Sequence, residues 1–190
     1  MLINEITNEN TKQDLMHTFE KIFMSTNPFQ YVFTKNIKEV IILFPTDGYY
    51  LTEKQFIALQ ETMVTFKENE FYISEVEGTD IFKNVEKTNS YQSRHWIIDD
   101  VTSLHDYDEV QLFLENAIYS TQGKWGLIVS HEEHALLGGT SEFIRRFKMN
   151  YPEWEECTNN LLKQWKDNER LYGASSIWVD NLIKSIKSIK

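Results

Sequence analysis

The longest uninterrupted apolar run in the chain is Val40-Ile41-Ile42-Leu43-Phe44. A membrane-spanning helix needs about 20 such residues, so the run predicts no membrane span. Consecutive apolar residues with no polar alternation read instead as a buried strand. Pro45-Thr46-Asp47-Gly48 then supplies turn chemistry. A buried strand needs neighbours to pair with and layers to cover it. The chain has 190 residues, 41% hydrophobic and 25% charged, enough for one compact domain and too apolar for a disordered tail. Its 7 glycines and 3 prolines leave little for linkers.

The remaining periodicities supply the partners. Asn10 or Thr11 caps a predicted helix to about Met24, with Leu15, Phe19, Ile22 and Phe23 on one face, and Asn27-Pro28 stops it. Thr52 and Gln55 form a capping box ahead of a stripe of Phe56, Leu59, Met63 and Phe66. Phe71–Val76 and Tyr91–Ile98 read as strands, with 79–89 between them as a loop or strained hairpin. Asp106 and Glu109 repeat the capping box. The spacing of Val110, Phe113, Leu114, Ala117 and Ile118 then predicts an amphipathic helix. Lys124–Ser130 and His134–Leu137 read as a hairpin, and Gly138-Gly139 as a turn into a short helix capped by Thr140 or Ser141. Two more helices follow. One runs from Tyr151 to Tyr172 and is closed by Gly173; the other starts near Ala174 and buries Trp178, Leu182, Ile186 and Ile189. The order is α-β-α-β-β-α-β-β-α-α-α. It predicts a single α+β domain over residues 1–190, with a mainly antiparallel sheet of four to six strands covered by helices and a helical C-terminal third.

Charge narrows the partners. The formal net charge is -10. Residues 1–120 hold 9 basic and 20 acidic side chains, a net of -11, and residues 121–190 hold 10 and 9, a net of +1. Binding to nucleic acid or to an anionic membrane surface needs lysine and arginine, so neither is expected. A basic protein partner is expected instead. The single cysteine, Cys157, excludes an internal disulfide, and no secretory signal is visible. Together these predict a cytoplasmic location.

Few residue patterns suggest chemistry. Asp99, Asp100, Asp106, Asp108 and Glu109, with His95 and His105, could hold a divalent cation for a metal-dependent hydrolase. Asp106 and Glu109 already serve as helix-start residues, however, so an acidic docking surface is the preferred reading. Its expected contacts are Asp99, Asp100 and Asp108, with Tyr107 as an aromatic anchor. His131-Glu132-Glu133-His134 lacks the four-residue histidine spacing of a zincin. If Glu132-Glu133 is a two-residue turn, the histidines face each other at about 5 Å between Cβ atoms. They are read as surface residues of a polar turn, with no metal and no cofactor. Cys157 shares an apolar stripe with Trp154, Leu161 and Trp165 and reads as core. No glycine-rich nucleotide loop and no Gly-x-Ser-x-Gly elbow occurs, so no catalytic residue is assigned.

The segment Trp125-Gly126-Leu127-Ile128-Val129-Ser130, then Glu132 or Glu133, then Leu136-Leu137-Gly138-Gly139-Thr140 and Glu142-Phe143-Ile144, resembles segments of small bacterial immunity proteins encoded beside polymorphic or contact-dependent toxins. The resemblance covers about 20 residues and points to no particular immunity family. It implies a non-catalytic cytosolic protein that binds and neutralises a toxin domain. An adaptor or a phage-related interaction protein is the other non-enzymatic expectation. The motif itself reads as a packing device, because Trp125, Leu127 and Val129 alternate onto one sheet face.

Overall fold

A computed structural model describes residues 3–77, 81–82 and 93–189. Among the described residues, seven strands form one antiparallel sheet in the order β1-β4-β3-β5-β6-β7-β2. In chain order the elements are β1 (Ile3–Glu5), α1 (Glu9–Ile22), β2 (Glu39–Leu43), α2 (Glu53–Thr65), β3 (Glu70–Glu75), β4 (His95–Asp99), α3 (Leu104–Asp108), β5 (Asn116–Ser120), β6 (Trp125–Ser130), β7 (His134–Gly139), α4 (Ser141–Asn150), α5 (Trp154–Tyr172) and α6 (Ile177–Lys187). The α+β class and the helical C-terminal third are as expected. The strand count exceeds the expected four to six because β1 and β5 were not anticipated.

Helices and loops cover both sheet faces, as the apolar run in β2 requires. Every residue of β6 and β7 is buried. On one face, Phe19 and Phe23 at the end of α1 pack edge-on against Tyr119, and Phe23 and Ile22 lie over Gly126. On the other, the ring of Phe143 from α4 stacks on Trp125, centroids 5.1 Å apart. Trp125 is fully buried, and its indole N–H donates to Glu68 Oε2 at 2.9 Å. At the β2 edge, α5 and α6 close over the strand.

The glycines of the hairpin are packing devices. A Cβ on Gly126 would lie 2.4 Å from Phe23 Cζ, and one on Gly138 would lie 2.8 Å from both Ile37 and Phe33. Gly138 and Gly139 sit inside β7, paired with Gly126 and Trp125, and do not form the expected turn. Thr140 caps α4 by accepting from the N–H of Phe143 at 3.2 Å.

Several local expectations change. The predicted helix over Val110–Ile118 is instead the end of the α3 region followed by the central strand β5. All five β5 residues are buried, so Ala117 and Tyr119 face α1 while Ile118 faces the opposite layer. Burial on both faces removes the alternation that marks a strand and leaves a spacing that mimics a helix. The cap of α3 is Ser103, whose Oγ accepts from the N–H of Asp106 at 3.1 Å. Helix α1 is capped by Asn8 rather than Asn10 or Thr11. The β6–β7 turn contains three residues, because Ser130 pairs with His134 and Glu133 takes a left-handed φ of 56°. Helix α5 starts at Trp154 rather than Tyr151. Helix α6 starts at Ile177 and buries Val179 and Leu182, with Trp178, Ile186 and Ile189 half-buried against the core. The loop or hairpin expected over 79–89 falls outside the described residues except for Ile81 and Phe82, as does Tyr91.

Two substitutions test this packing. Gly126→Ala forces a methyl group into Phe23 and is expected to destabilise by about 1–3 kcal/mol in urea unfolding. Trp125→Ala leaves a cavity and removes a donor from Glu68, with an expected loss of about 3–5 kcal/mol. An unchanged unfolding midpoint in either variant contradicts the packing described.

Candidate functional site

The acidic stretch lies on the turn and short helix between β4 and β5. Asp99 and Asp100 are half-buried at the end of β4; Asp106, Asp108 and Glu109 are exposed on and just after α3. The turn is built locally. Asp99 Oδ1 accepts from the N–H of Val101 at 3.1 Å, and Gln60 of α2 donates to the carbonyls of Asp100 and Thr102, both at 2.7 Å. Burial raises the pKa of Asp100, and the neighbouring Asp99 carboxylate raises it further. Partial burial likewise raises Asp108, followed by the charge of Asp47 from the β2–α2 turn. None of Asp99, Asp100, Asp108 and Glu109 forms an ion pair with a described lysine or arginine. Asp99 and Asp100 end β4 opposite Glu70, whereas Asp108 lies beside Asp47 toward the other end of the sheet, so the acidic margin runs along α3 and does not gather at one point.

Tyr107 does not belong to that margin. It is fully buried, stacked on Phe56 with centroids 4.5 Å apart, and its hydroxyl accepts from the N–H of Leu51 at 3.2 Å. Burial pushes its pKa upward. The alternation of α3 turns it inward while Asp106 and Asp108 point out. A tyrosine between two aspartates reads as surface in sequence, and nothing local distinguishes it from a core anchor.

The hydrolase alternative also requires His95 beside these carboxylates, and the fold separates them. His95 is buried on the α1 side of the sheet. Its Nε2 lies 3.0 Å from the Ile81 carbonyl and so carries the proton. Nδ1 then accepts from Ser74 Oγ at 2.8 Å, and Ser74 accepts from the Tyr119 hydroxyl at 2.9 Å. The string is fully satisfied internally. Among the described residues, no group of three or more His, Cys, Asp or Glu side chains is placed to hold a metal ion.

The histidines of the β6–β7 turn do not face one another either. His134 is buried, contrary to the surface reading, and its Nε2 lies 3.0 Å from the Pro28 carbonyl. His131 is on the turn, with Nδ1 3.1 Å from Glu115 Oε1. The same Glu115 oxygen accepts from Ser130 at 3.0 Å. Cys157 is buried, as expected, and burial raises its pKa away from the reactive thiolate.

Sequence reasoning missed two buried carboxylates. Glu75 is fully buried and pairs with Arg94 at 2.9 Å. The Arg94 guanidinium also contacts the Gln111 carbonyl and lies 5.0 Å from the Trp96 ring and 5.2 Å from Phe113. Glu68, nearly inaccessible, spends one oxygen on Ser120 and Trp125. Burial raises its pKa. The signal for Glu75 was weak, a Glu at the β3 position that continues the inward alternation of Phe71 and Ile73, and Glu68, in the turn ahead of β3, gave none.

Comparison of the chain with family models, curated proteins and solved structures gave no match.

Burial lowers the His95 pKa from 6.5 to about 4. The neutral form is therefore stabilised by folding. Its contribution, about 3 kcal/mol by linkage, is complete above pH 6.5 and lost as the pH falls toward 4. The stability gap between wild type and His95→Gln in urea unfolding should shrink over that window. A gap constant from pH 7 to pH 4.5 would contradict a neutral buried imidazole.

Proposed function

We propose that the protein is a non-catalytic binding protein of the immunity type, which neutralises a basic toxin domain through its acidic margin. The observation that carries this reading is the set of carboxylates Asp99, Asp100 and Asp108, joined by Asp47 and Glu109, spread along the α3 side from the end of β4 to the β2–α2 turn with no lysine or arginine ion pair among the described residues. Like charges left unneutralised oppose folding, and a cationic partner relieves that repulsion on binding. The hairpin segment that resembles immunity proteins is consistent with the reading, although its glycines and Trp125 act in packing. The buried histidines, serine and cysteine also favour binding over catalysis, since their polar atoms are engaged within the fold.

The physical mechanism is steering followed by dry contact. The acidic margin raises the encounter rate with a positively charged surface, and exposed apolar side chains beside it slow dissociation. Val101, 68% exposed, lies on the same turn as Asp99 and Asp100. Val64 and Ile57 are exposed on α2, the helix that Gln60 ties to that turn.

The test starts from the protein encoded beside this gene. The two products should co-purify, and this protein should protect cells from the other. Asp99→Asn, Asp100→Asn and Asp108→Asn combined should keep the fold and slow association about tenfold at low salt, with a smaller effect at high salt. A neighbouring gene that encodes no toxin removes the immunity reading. A triple variant that associates and protects like wild type at every salt concentration moves the interface away from these carboxylates.

A further inference from the structure

A groove of about 550 Å³ lies between the β1–β4 edge of the sheet and α3. Ile3, Trp96 and Val110 supply apolar lining, and Glu5, Asp106 and Glu109 supply carboxylates. The register explains the grouping. Glu5 pairs with Trp96 and Ile3 with Ile98, so Ile3, Glu5 and Trp96 project from one sheet face, toward the side on which Asp106 and Glu109 leave α3. Arg94 also lines the groove, but its charge is matched by Glu75 behind it. The three groove carboxylates have no lysine or arginine ion pair among the described residues.

We propose that this groove is the specificity pocket of the acidic margin and receives an arginine or lysine side chain presented by the protein partner. The inference rests on the binding function proposed above and adds where on the partner surface recognition is read. Three carboxylates around an apolar lining exclude an anion and favour a long side chain with a cationic head. The methylene stem would lie along Ile3 and Val110 while the head reaches Glu5, Asp106 and Glu109. The groove is larger than one side chain needs and falls in the usual size range of ligand sites, so a short segment bearing the cation fits better than a free amine. Asp106 remains available because Ser103 occupies only its Oδ2, at 2.7 Å.

The test uses a defined probe, the blocked tripeptide Ala-Arg-Ala, against its citrulline counterpart, which keeps shape and loses charge. Titrations are followed by NMR at the Trp96 indole N–H and the Glu109 and Val110 amides. The arginine peptide should give saturable shifts confined to the groove, with the citrulline peptide at least fivefold weaker. Glu5→Gln, Asp106→Asn and Glu109→Gln combined should weaken the arginine peptide by a similar factor; if that variant does not fold, Glu5→Gln and Glu109→Gln serve singly. Absence of saturable shifts, equal binding of the citrulline peptide, or binding undiminished in a folded variant would overturn the proposal. The two readings fail separately. If the peptide fails while the partner still co-purifies, the pocket falls alone. If the peptide binds as expected but no neighbouring toxin exists, the cation pocket stands and the immunity reading falls.

Discussion

The structure depends on how closely one layer approaches the centre of the sheet. At Gly126 and Gly138 the backbone meets Phe23, Ile22, Phe33 and Ile37 at distances no side chain would allow. Glycine there trades local strand propensity for a dense aromatic layer, in which Phe19, Phe23 and Tyr119 meet edge-on. The same hairpin presents its other face as Trp125 and Leu127, so one pair of strands seats both covering layers. Trp125 is held by stacking on Phe143 and by the Glu68 hydrogen bond. Loss of either contact loosens the layer opposite the glycines.

Much of this was legible in the sequence, and the failures have definite causes. The capping box of Thr52 and Gln55, the β2 run and the hairpin over 124–137 were readable because local chemistry and tertiary role agree, whereas the strand character of Gly138 and Gly139 was hidden by their turn chemistry. β5 was misread because a strand buried on both faces keeps no period of two. β1 was missed because three residues carry no period at all. In the candidate site, the acidic residues at 99, 100 and 108 were visible as charge, but Tyr107 and His95 were not visibly interior. Whether an isolated polar or aromatic side chain finds partners at Leu51, Ser74 or Ile81 is a property of the assembled layers, not of its neighbours in sequence.

Two sets of interior polar groups contrast in chemistry. On the α1 side a neutral string runs from Tyr119 through Ser74 to His95. On the opposite side lie two carboxylates, Glu75 beside Arg94 and Glu68 beneath Trp125. His95 and Glu68 respond to acid in opposite senses. Neutral His95 is lost as a stabilising element when the pH falls, whereas Glu68, with its raised pKa, is relieved by protonation. The outer carboxylates near α3 add repulsion that salt or a cationic surface reduces. A surface poised in this way can exchange self-repulsion for attraction without rearranging the core.

The strand order carries a consequence for synthesis. β2 is made early, yet its neighbour in the sheet is β7, with Glu39 opposite Gly139 and Leu43 opposite Ala135. On the ribosome, the apolar segment Val40–Phe44 must therefore wait until the hairpin has emerged before it can dock. Until then it is an unpaired, aggregation-prone strand. The covering helices α5 and α6 arrive later still. The nascent chain thus passes through a long interval in which its most hydrophobic segment needs shelter, from transient contacts with α1 or from a chaperone.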